Sequence, residues 1–427
     1  MAVAEHRHSS LIPITRQFIV LRSVHGLADG MLLPVKILML NARGLTIAEV
    51  GLAMAAFSLT IALLELPTGG FADAWGRRRV LGLAGVLNLV GIVIFGFLAA
   101  PLLLVVGLIL TGVARSLSSG PIEAWFIERA KDTDGDVDLS HGLGLGSSGE
   151  NIGLAAGALV GGALPLIFGA LPSNGTEPLL SLTPTFAVAA VIVAVELLAI
   201  VVLVRDRRST GSLRAAVALV PETVGSGLQV AGGDRALRSI LMRLFLAGVT
   251  LAAFDIFVPI RLVELGLSAG GAATLFGVLV TINAAGAAFT ASLASRLKAR
   301  SDTPLGIAGL LSAGSGVFGL LAALPAVAGV VIGFVGLRIT SGPIMPIAGS
   351  EMHTHIEDRM RTTVISTLSL VAMMGAVLGS VALTQLPDRF GTTIPLLIGA
   401  VAAMAGGLSL FSARFAWPRE EPDSAHR

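Results

Sequence analysis

The chain consists largely of twelve runs of about 20 mostly apolar residues, a length that lets a helix cross the hydrocarbon core of a bilayer. Only 13% of its residues are charged, whereas an ordinary soluble domain has about 25%. So few charged side chains do not cover a surface exposed to water. We therefore predict an all-α polytopic membrane protein with twelve transmembrane helices. The runs lie at about 16–40, 46–68, 80–99, 102–126, 142–168, 183–204, 239–262, 271–293, 304–324, 326–348, 362–385 and 391–413.

A polar segment at 205–238 divides the runs into two groups of six. Two short motifs occur once in each group, at nearly the same separation along the chain. Arg115-Ser-Leu-Ser-Ser-Gly-Pro-Ile122 resembles Arg338-Ile-Thr-Ser-Gly-Pro-Ile344, and Gly157-Ala-Leu-Val-Gly-Gly162 resembles Gly375-Ala-Val-Leu-Gly-Ser380. Internal repeats of this kind are typical of secondary transporters. We predict two pseudo-symmetric six-helix bundles, 1–204 and 239–427, joined by a cytoplasmic linker at 205–238.

The basic residues predict the orientation of the chain. Most of its 29 Lys and Arg residues share one side of the membrane if both termini are cytoplasmic, as the positive-inside rule requires. We expect a monomeric, multi-pass protein of the cell (inner) membrane with both termini in the cytoplasm. There is no basic soluble domain to bind nucleic acid. The absence of cysteine excludes disulfides, thiolate metal sites and cysteine nucleophiles.

The first run carries four ionisable residues, Arg22, His25, Asp29 and Lys36. On an ideal helix all four fall within an arc of about 60°, so they form one polar stripe. A charged side chain at the centre of a membrane helix costs about 2.5–3.5 kcal/mol, which favours a position beside a partner or a water-filled cavity. The stripe is therefore predicted to face the interior of a bundle.

Charged residues in later runs provide candidate partners. Arg115 lies in the fourth run, Asp255 in the seventh and Arg338 in the tenth, so each half has an acid on its first helix and an arginine on its fourth. The helical rise places Asp29 and Arg115 within about 7 Å in depth. It separates Asp255 from Arg338 by about 10 Å, which makes a second direct pair less secure.

Two interpretations of the Asp29–Arg115 pair remain open. A carboxylate whose partner and water access change as the protein moves takes up and releases a proton, which would couple transport to a proton gradient. In that case His25, one turn from Asp29, would relay protons. The alternative is a buried ion pair that only sets the register of two helices. Glu150 and Glu196, in the fifth and sixth runs, either face the same cavity or lie at the membrane interface.

The segment Gly69-Gly-Phe-Ala-Asp-Ala-Trp-Gly-Arg-Arg-Arg79, between the second and third runs, resembles the loop motif G-x-L-A-D-R-x-G-R-K of the major facilitator superfamily. It departs from that motif at Phe71 and at Ala74, which replaces a basic residue. The resemblance implies a latch of the outward-facing conformation formed by Asp73 and Arg77, with Glu128 as a partner. The residues assigned to this cytoplasmic gate are Gly69, Asp73, Gly76, Arg77, Arg78, Glu65, Glu123 and Glu128.

The glycine-rich fifth run contains the spacing G-x-G-x-x-G, but no strand or βαβ unit surrounds it, so it does not predict a nucleotide site. Glycines four residues apart instead let two membrane helices pack backbone to backbone. The run is similar to the fifth-span motif of proton-coupled drug antiporters of the same superfamily, with Ala158 in place of the proline. The alternative is that these glycines serve only helix packing and have no bearing on the direction of transport. The helix-seam glycines are Gly144, Gly153, Gly157, Gly161 and Gly162.

No feature of the sequence predicts an enzyme, a cofactor or a metal site. The chain has no phosphate-binding G-x-x-x-x-G-K-[ST] loop, so transport driven by its own ATP hydrolysis is not expected. The segment Glu351-Met-His-Thr-His-Ile-Glu357 contains residue types that bind metals, but nothing else supports ligation. We interpret it as a solvated loop.

The twelve runs, the central linker, the loop motif and the fifth-run glycines together resemble the major facilitator superfamily over essentially the whole chain. The resemblance implies alternating access, with a small-molecule substrate bound between the halves. We predict a secondary active transporter in the lipid bilayer that couples proton movement to the efflux of small amphipathic or drug-like molecules. Two alternatives remain. One is an importer or facilitator of a small organic anion bound by Arg115 and Arg338, and the other is a non-transporting integral membrane protein (enzyme or receptor-like).

Overall fold

The computed structural model describes residues 2–133, 139–169, 177–204, 234–356, 358–387 and 391–416. All the regular secondary structure assigned within those residues is helical, and twelve segments are long and apolar enough to cross a membrane. The predicted all-α membrane fold is confirmed. The twelve segments are Pro13–Ala42, Ile47–Leu64, Arg77–Phe97, Pro101–Thr133, Leu139–Gly169, Ser181–Leu203, Arg235–Glu264, Ala269–Gly286, Pro304–Leu321, Val327–Met352, Ser366–Leu383 and Thr393–Ser412.

The described residues form sixteen helices, because several membrane segments contain breaks or extend beyond the apolar stretch. They are α1 Ala2–Leu32, α2 Lys36–Ala42, α3 Ile47–Trp75, α4 Arg77–Phe97, α5 Pro101–Ser119, α6 Pro121–Thr133, α7 Leu139–Gly169, α8 Glu177–Leu203, α9 Arg235–Glu264, α10 Ala269–Ser292, α11 Ala294–Ala299, α12 Pro304–Leu321, α13 Val327–Ser341, α14 Ile344–His355, α15 Asp358–Leu383 and α16 Thr393–Ser412.

The fourth and tenth spans are broken at the repeated Ser-Gly-Pro-Ile motif. α5 ends at Ser119 and α6 begins at Pro121, while α13 ends at Ser341 and α14 begins at Ile344. Proline has no N–H group and its ring collides with the carbonyl group four residues earlier, so it is accepted in the first turn of a helix and not in its interior. Each of these runs, predicted as a single helix, is therefore a pair of helices.

The first span, predicted as one helix, is also interrupted. α1 ends at Leu32 and α2 begins at Lys36, with a turn at 33–35 that contains Pro34. The helix is interrupted at this turn, but Lys36 still lines the same cavity as His25 and Asp29, so it shares their side of the span. The ammonium group of Lys36 lies over the ring of Phe57, 4.6 Å from the ring centroid.

Contacts divide the chain into two compact units. Unit 1 consists of Met1–Val220 and Leu262–Ala285, and unit 2 consists of Pro221–Arg261 and Gly286–Arg427. The eighth span, predicted to belong to the C-terminal bundle, thus groups with the N-terminal one. Most of the predicted linker, 205–233, lies outside the described residues.

Two hydrogen bonds join the part of the eighth span in unit 1 to α7. The hydroxyl group of Thr274 donates to the carbonyl oxygen of Gly162 at 2.7 Å, and that of Thr281 donates to Ala155 at 2.9 Å. A hydroxyl in an apolar helix needs an acceptor, and close helix packing brings a backbone carbonyl group within reach. Which bundle a span joins is therefore set by its neighbours in space.

A close-packed seam between α1 and α7 fixes the orientation of the polar face of α1. A Cβ atom on Gly153, Gly157 or Gly161 would overlap a backbone carbonyl oxygen of α1. Gly26 and Gly30 make the reciprocal approach from α1 to α7. These two glycines are missing from the predicted seam, although their G-x-x-x-G spacing is the sequence signal for such a contact.

Two of the predicted seam glycines lie elsewhere. Gly144 is exposed, and a Cβ atom there would meet nothing within 4 Å, so its assignment to the seam was wrong. Gly162 faces α10, where a Cβ atom would lie 2.7 Å from the carbonyl oxygen of Ala273. Successive residues of a helix point about 100° apart, so Gly161 and Gly162 necessarily face different neighbours.

Unit 2 contains a second seam of the same kind, between α9 and α15. A Cβ atom on Gly248 would overlap the carbonyl oxygen of Ala372, and one on Gly375 would overlap that of Phe245. Each of these glycines, and each residue that it contacts, lies the same number of residues after its counterpart in the α1–α7 seam. The internal repeat therefore preserves the backbone packing of the two helices as well as short motifs.

The segment interpreted as a solvated loop with metal-binding residue types is helical up to His355. α14 extends to His355, and Glu351 is buried with its carboxylate 2.8 Å from Nζ of Lys298. A buried acid needs a partner, and this one comes from α11, which the local sequence does not reveal. The described residues contain no group of three or more His, Cys, Asp or Glu placed to hold a metal.

Candidate functional site

Unit 1 encloses a cavity of about 160 Å³. Its wall is mostly apolar, with the rings of Phe57, Phe95 and Phe186 among the lining groups. The ionisable side chains in the wall are His25, Asp29, Lys36, Arg115 and Glu196. Three of the four ionisable residues of the first span, together with Arg115 and Glu196, are thus brought to one cavity inside unit 1.

Asp29 and Arg115 form an ion pair in this cavity. Nη1 of Arg115 lies 3.0 Å from Oδ2 of Asp29. More than half of the Arg115 side chain is exposed and Asp29 is partly exposed, so water reaches the pair. An exposed ion pair contributes at most about 1 kcal/mol to stability, which makes a purely structural role a weak reason for placing two charges here.

His25 and Glu196 form a second, more buried pair. Nδ1 of His25 lies 2.8 Å from Oε1 of Glu196, and the side chains are 15% and 8% exposed. Because a carboxylate only accepts hydrogen bonds, this contact requires one proton, either on Nδ1 of the imidazole or on the carboxyl group. The Nδ1–H tautomer of a neutral imidazole supplies this proton, and a further proton on the ring would turn the contact into an ion pair next to Asp29.

Arg22 extends the polar network beyond the cavity wall. It forms an ion pair with Glu150 of α7, and its Nη2 atom lies 3.5 Å from Oε1 of Glu123. Glu123 was predicted to belong to the cytoplasmic gate. The structure instead pairs it with the first span, because α6 packs against α1.

These pairs together constitute the unit 1 charge cluster, in which three basic side chains and His25 face four carboxylates. The cluster comprises Arg22, His25, Asp29, Lys36, Arg115, Glu123, Glu150 and Glu196. With His25 neutral the cluster carries one net negative charge, and one added proton makes it neutral. An added proton on the largely buried His25–Glu196 pair would therefore remove the net charge of the cluster.

Asp255 and Arg338 form the corresponding pair in unit 2, between α9 and α13. The predicted depth difference made a direct pair less secure, but the pair is present. The guanidinium group of Arg338 also lies over the ring of Phe334, 5.3 Å from its centroid. The long arginine side chain spans the difference in depth.

Arg243 of α9 is missing from the predicted site, although an arginine inside an apolar run is by itself a signal of function. It is only 8% exposed, and it forms no ion pair with any residue that the structure describes. Its Nε atom is buried without a hydrogen-bond partner. Together with Arg338 it lines a cavity of about 200 Å³ in unit 2.

The turn of the loop motif is shorter than predicted. α3 continues through most of the motif to Trp75, and α4 begins at Arg77. Gly76 alone makes the turn, with a φ of 96° that favours glycine. Gly69, which was assigned to the gate at this loop, lies within the helix.

The predicted gate is present in part. Arg77 forms an ion pair with Glu128 of α6, which links the start of α4 to the end of the fourth span. Arg78, beside it, is exposed. The side chains of Glu65 and Asp73 lie outside the described residues, so the predicted Asp73 latch stays a prediction.

The sequence matches the family profile described as Major Facilitator Superfamily over residues 18–371. A curated relative, the uncharacterized MFS-type transporter YxaM of Bacillus subtilis (strain 168), is 26% identical over 103 residues. That alignment covers 24% of this chain and 26% of the relative, so it spans about a quarter of the relative's length.

Several solved structures are similar over nearly the whole chain. The nucleoside transporter NupG has a TM-score of 0.72 at 12% identity, covering 93% of this chain and 98% of that one. A bacterial homolog of the human lysosomal transporter Spinster has a TM-score of 0.74 at 16% identity, covering 96% and 98%. A POT family transporter in complex with 5-aminolevulinic acid has a TM-score of 0.70 at 14% identity, covering 94% and 96%. At these identities the likeness establishes the fold alone. Because the family match extends over most of the chain, the protein belongs to the major facilitator superfamily and is a multi-pass membrane protein.

Proposed function

We propose that the protein is a proton-coupled secondary active transporter that exports small amphipathic or drug-like molecules by alternating access. It acts as a monomer in the cell (inner) membrane, with both termini in the cytoplasm. The observation that carries the proposal is the buried His25–Glu196 pair beside the water-accessible Asp29–Arg115 pair on one cavity.

Two neighbouring pairs of different exposure suit proton coupling. The His25–Glu196 pair is largely buried, whereas the Asp29–Arg115 pair is much more exposed. A change in water access to the cavity alters which protonation state is favoured. Because one proton decides whether the unit 1 charge cluster is neutral or negative, its uptake and release bias the conformations of a transporter.

The rest of the cavity wall favours an amphipathic substrate. Aromatic and aliphatic side chains supply apolar surface, and a few charged groups supply orientation, as in most small-molecule sites. Export is favoured by the similarity of the α7 glycines to the motif of drug:proton antiporters. The Arg77–Glu128 pair supports a gate at the loop motif, since a partly exposed ion pair can form and break during transport.

The test is transport in proteoliposomes with an imposed pH gradient, using a panel of neutral, anionic and cationic amphipathic fluorophores and a pH dye inside the vesicles. Asp29→Asn and Glu196→Gln are expected to reduce uphill transport and substrate-induced proton flux to background, because neither amide takes up a proton. Downhill exchange of substrate is expected to persist.

Glu49→Gln is the matched control. Glu49 lies at the start of α3, where its carboxylate accepts the N–H of Thr46 in a capping box that glutamine also completes. Wild-type uphill transport by both cavity variants would refute the proton role. Equilibration of substrate by the wild-type protein regardless of the pH gradient would identify a facilitator instead.

A further inference from the structure

The cavity of unit 2 contains a positive charge that no described residue compensates. Arg243 is more than nine-tenths buried, forms no hydrogen bond or ion pair with a described residue, and lines the cavity. A buried charge without a partner is strongly unfavourable. Such a charge is retained where a ligand supplies the missing partner during function.

Arg338 lines the same cavity and is already neutralised by Asp255. Its Nε atom nevertheless has no hydrogen-bond partner. A guanidinium group has five N–H donors, so Arg338 can serve Asp255 and a second acceptor together. The cavity therefore has donors from two arginines and a net charge of one positive unit.

The hydroxyl groups of the cavity wall do not compete for the role of donor. Thr250 donates to the carbonyl oxygen of Gly399, Ser315 to that of Ser312, and Ser341 to that of Arg338. With their protons engaged by backbone carbonyl oxygens, these side chains present lone pairs to the cavity. Recognition of an anion is thus left to the guanidinium groups.

We propose that Arg243 and Arg338 form a binding site for one oxyanion, a carboxylate or phosphate group of the transported molecule. Planar guanidinium groups match the geometry of both anions. The remaining wall includes Ala247, Leu251 and Met373, which provide apolar surface for the body of a small molecule. The inference rests on the proposed function and specifies its substrate class as small amphipathic anions.

The seam of unit 2 places an alanine, and not an acid, in the wall of this cavity. In unit 1 the backbone that meets Gly26 is that of Glu150, whose carboxylate pairs with Arg22. In unit 2 the backbone that meets Gly248 is that of Ala372. A methyl group therefore stands where the repeat has a carboxylate, and the cavity beside it stays open.

The test is isothermal titration of the purified full-length protein in detergent with benzoate, inorganic phosphate and the neutral analogue benzamide. The wild-type protein is expected to bind benzoate or phosphate and not benzamide. Arg243→Gln is expected to weaken that binding at least about tenfold, equivalent to about 1.4 kcal/mol. The affinity of Arg243→Lys for the anion is expected to lie between those of the wild type and Arg243→Gln, because lysine keeps the charge and loses the bidentate geometry. The preferred anion identifies the oxyanion class.

Arg261→Gln is the matched control. Arg261 lies on the same helix but donates to the carbonyl oxygens of Ala323 and Leu324, outside the cavity. The affinity of the Arg261→Gln variant for the anion is expected to equal that of the wild type. Ala372→Glu is a second variant that keeps Arg243 and supplies a carboxylate in the cavity wall, so it is expected to abolish anion binding.

Wild-type affinity for the anion in Arg243→Gln, or no binding of either anion by the folded wild-type protein, overturns the inference. Thermal unfolding of each variant shows whether it is folded, and Arg243→Gln is expected to be at least as stable as the wild type because it removes a buried unpaired charge. Asp29→Asn is expected to bind the anion normally. Loss of uphill transport in that variant, without any anion binding by the wild type, would leave the proposed proton coupling intact and reject only this site.

Discussion

In unit 1 the arginine of the first helix, Arg22, meets the carboxylates of Glu150 and Glu123, whereas Arg243 on the first helix of unit 2 meets none among the residues that the structure describes. The backbone seams that hold these helices are the same. Glycine is required wherever one backbone touches another, so packing is strongly constrained. Side chains that face a cavity are not constrained in this way, and Ala372 stands where the repeat has Glu150.

This difference indicates a division of labour between the units. The unit 1 charge cluster becomes neutral by taking up one proton, whereas the cavity of unit 2 keeps one positive charge at neutral pH. The first property suits proton coupling and the second suits an anionic substrate. Duplication thus supplied one scaffold, and the charges placed on it then diverged.

The contrast between Arg22 and Arg243 is tested most strongly by removing the carboxylate of Glu150, which pairs with Arg22. Glu150→Ala is expected to destabilise the protein by about 3 kcal/mol, because one member of a buried pair is left uncompensated. The value is at the low end of the range since Glu150 is 30% exposed and Glu123 remains near Arg22. Denaturant unfolding of the purified protein measures it.

The double variant Arg22→Met with Glu150→Met serves as the control. Removing both charges leaves only Glu123 without Arg22, and because Glu123 is 45% exposed, stability is expected to be close to that of the wild type. A cost below about 1 kcal/mol for Glu150→Ala alone would mean that Arg22 needs its partner no more than Arg243 does, and the contrast between the units would disappear.

The feature that the two units share, the close-packed backbone seam, is tested by adding a methyl group at each seam. Gly153→Ala in unit 1 and Gly375→Ala in unit 2 are each expected to cost about 1–3 kcal/mol, because the added methyl group overlaps a backbone carbonyl group and forces the helices apart. Gly144→Ala is the matched control. It meets open space and is expected to stabilise α7 by up to about 1 kcal/mol. Clearly unequal costs at the two seams, measured by thermal unfolding, would argue against a conserved scaffold.

The smallest effect is expected at the two helix breaks. Pro121→Ala and Pro343→Ala each give the unfolded chain more freedom and are expected to cost about 0.4–1 kcal/mol. Alanine also lets the flanking helices join, which would move Arg115 and Arg338 relative to the segments that follow. Equal shifts in unfolding temperature would support a common role for the two breaks, and an effect confined to one variant would show that only that break matters.

Much of the fold could be predicted because it depends on local properties of the chain. A segment in lipid must satisfy its backbone hydrogen bonds internally, so a long apolar run becomes a helix whatever its neighbours are. Helical periodicity likewise places Arg22, His25 and Asp29 on one face. The four-residue spacing identifies Gly153 and Gly157 as points of close approach, whereas Gly144, taken from a longer motif, does not belong to the seam.

The amino-acid sequence by itself thus determined the number of spans, the polar face of the first helix and most of its seam, since these follow from hydropathy and helical geometry. Only the tertiary structure decided which charges meet. His25 and Glu196 are 171 residues apart in the chain, and Glu123 reaches Arg22 only because α6 packs against α1. That Arg243 has no partner among the described residues is also a property of the tertiary structure. Partnership between distant side chains depends on how helices cross and where they break, and no local pattern contains that information.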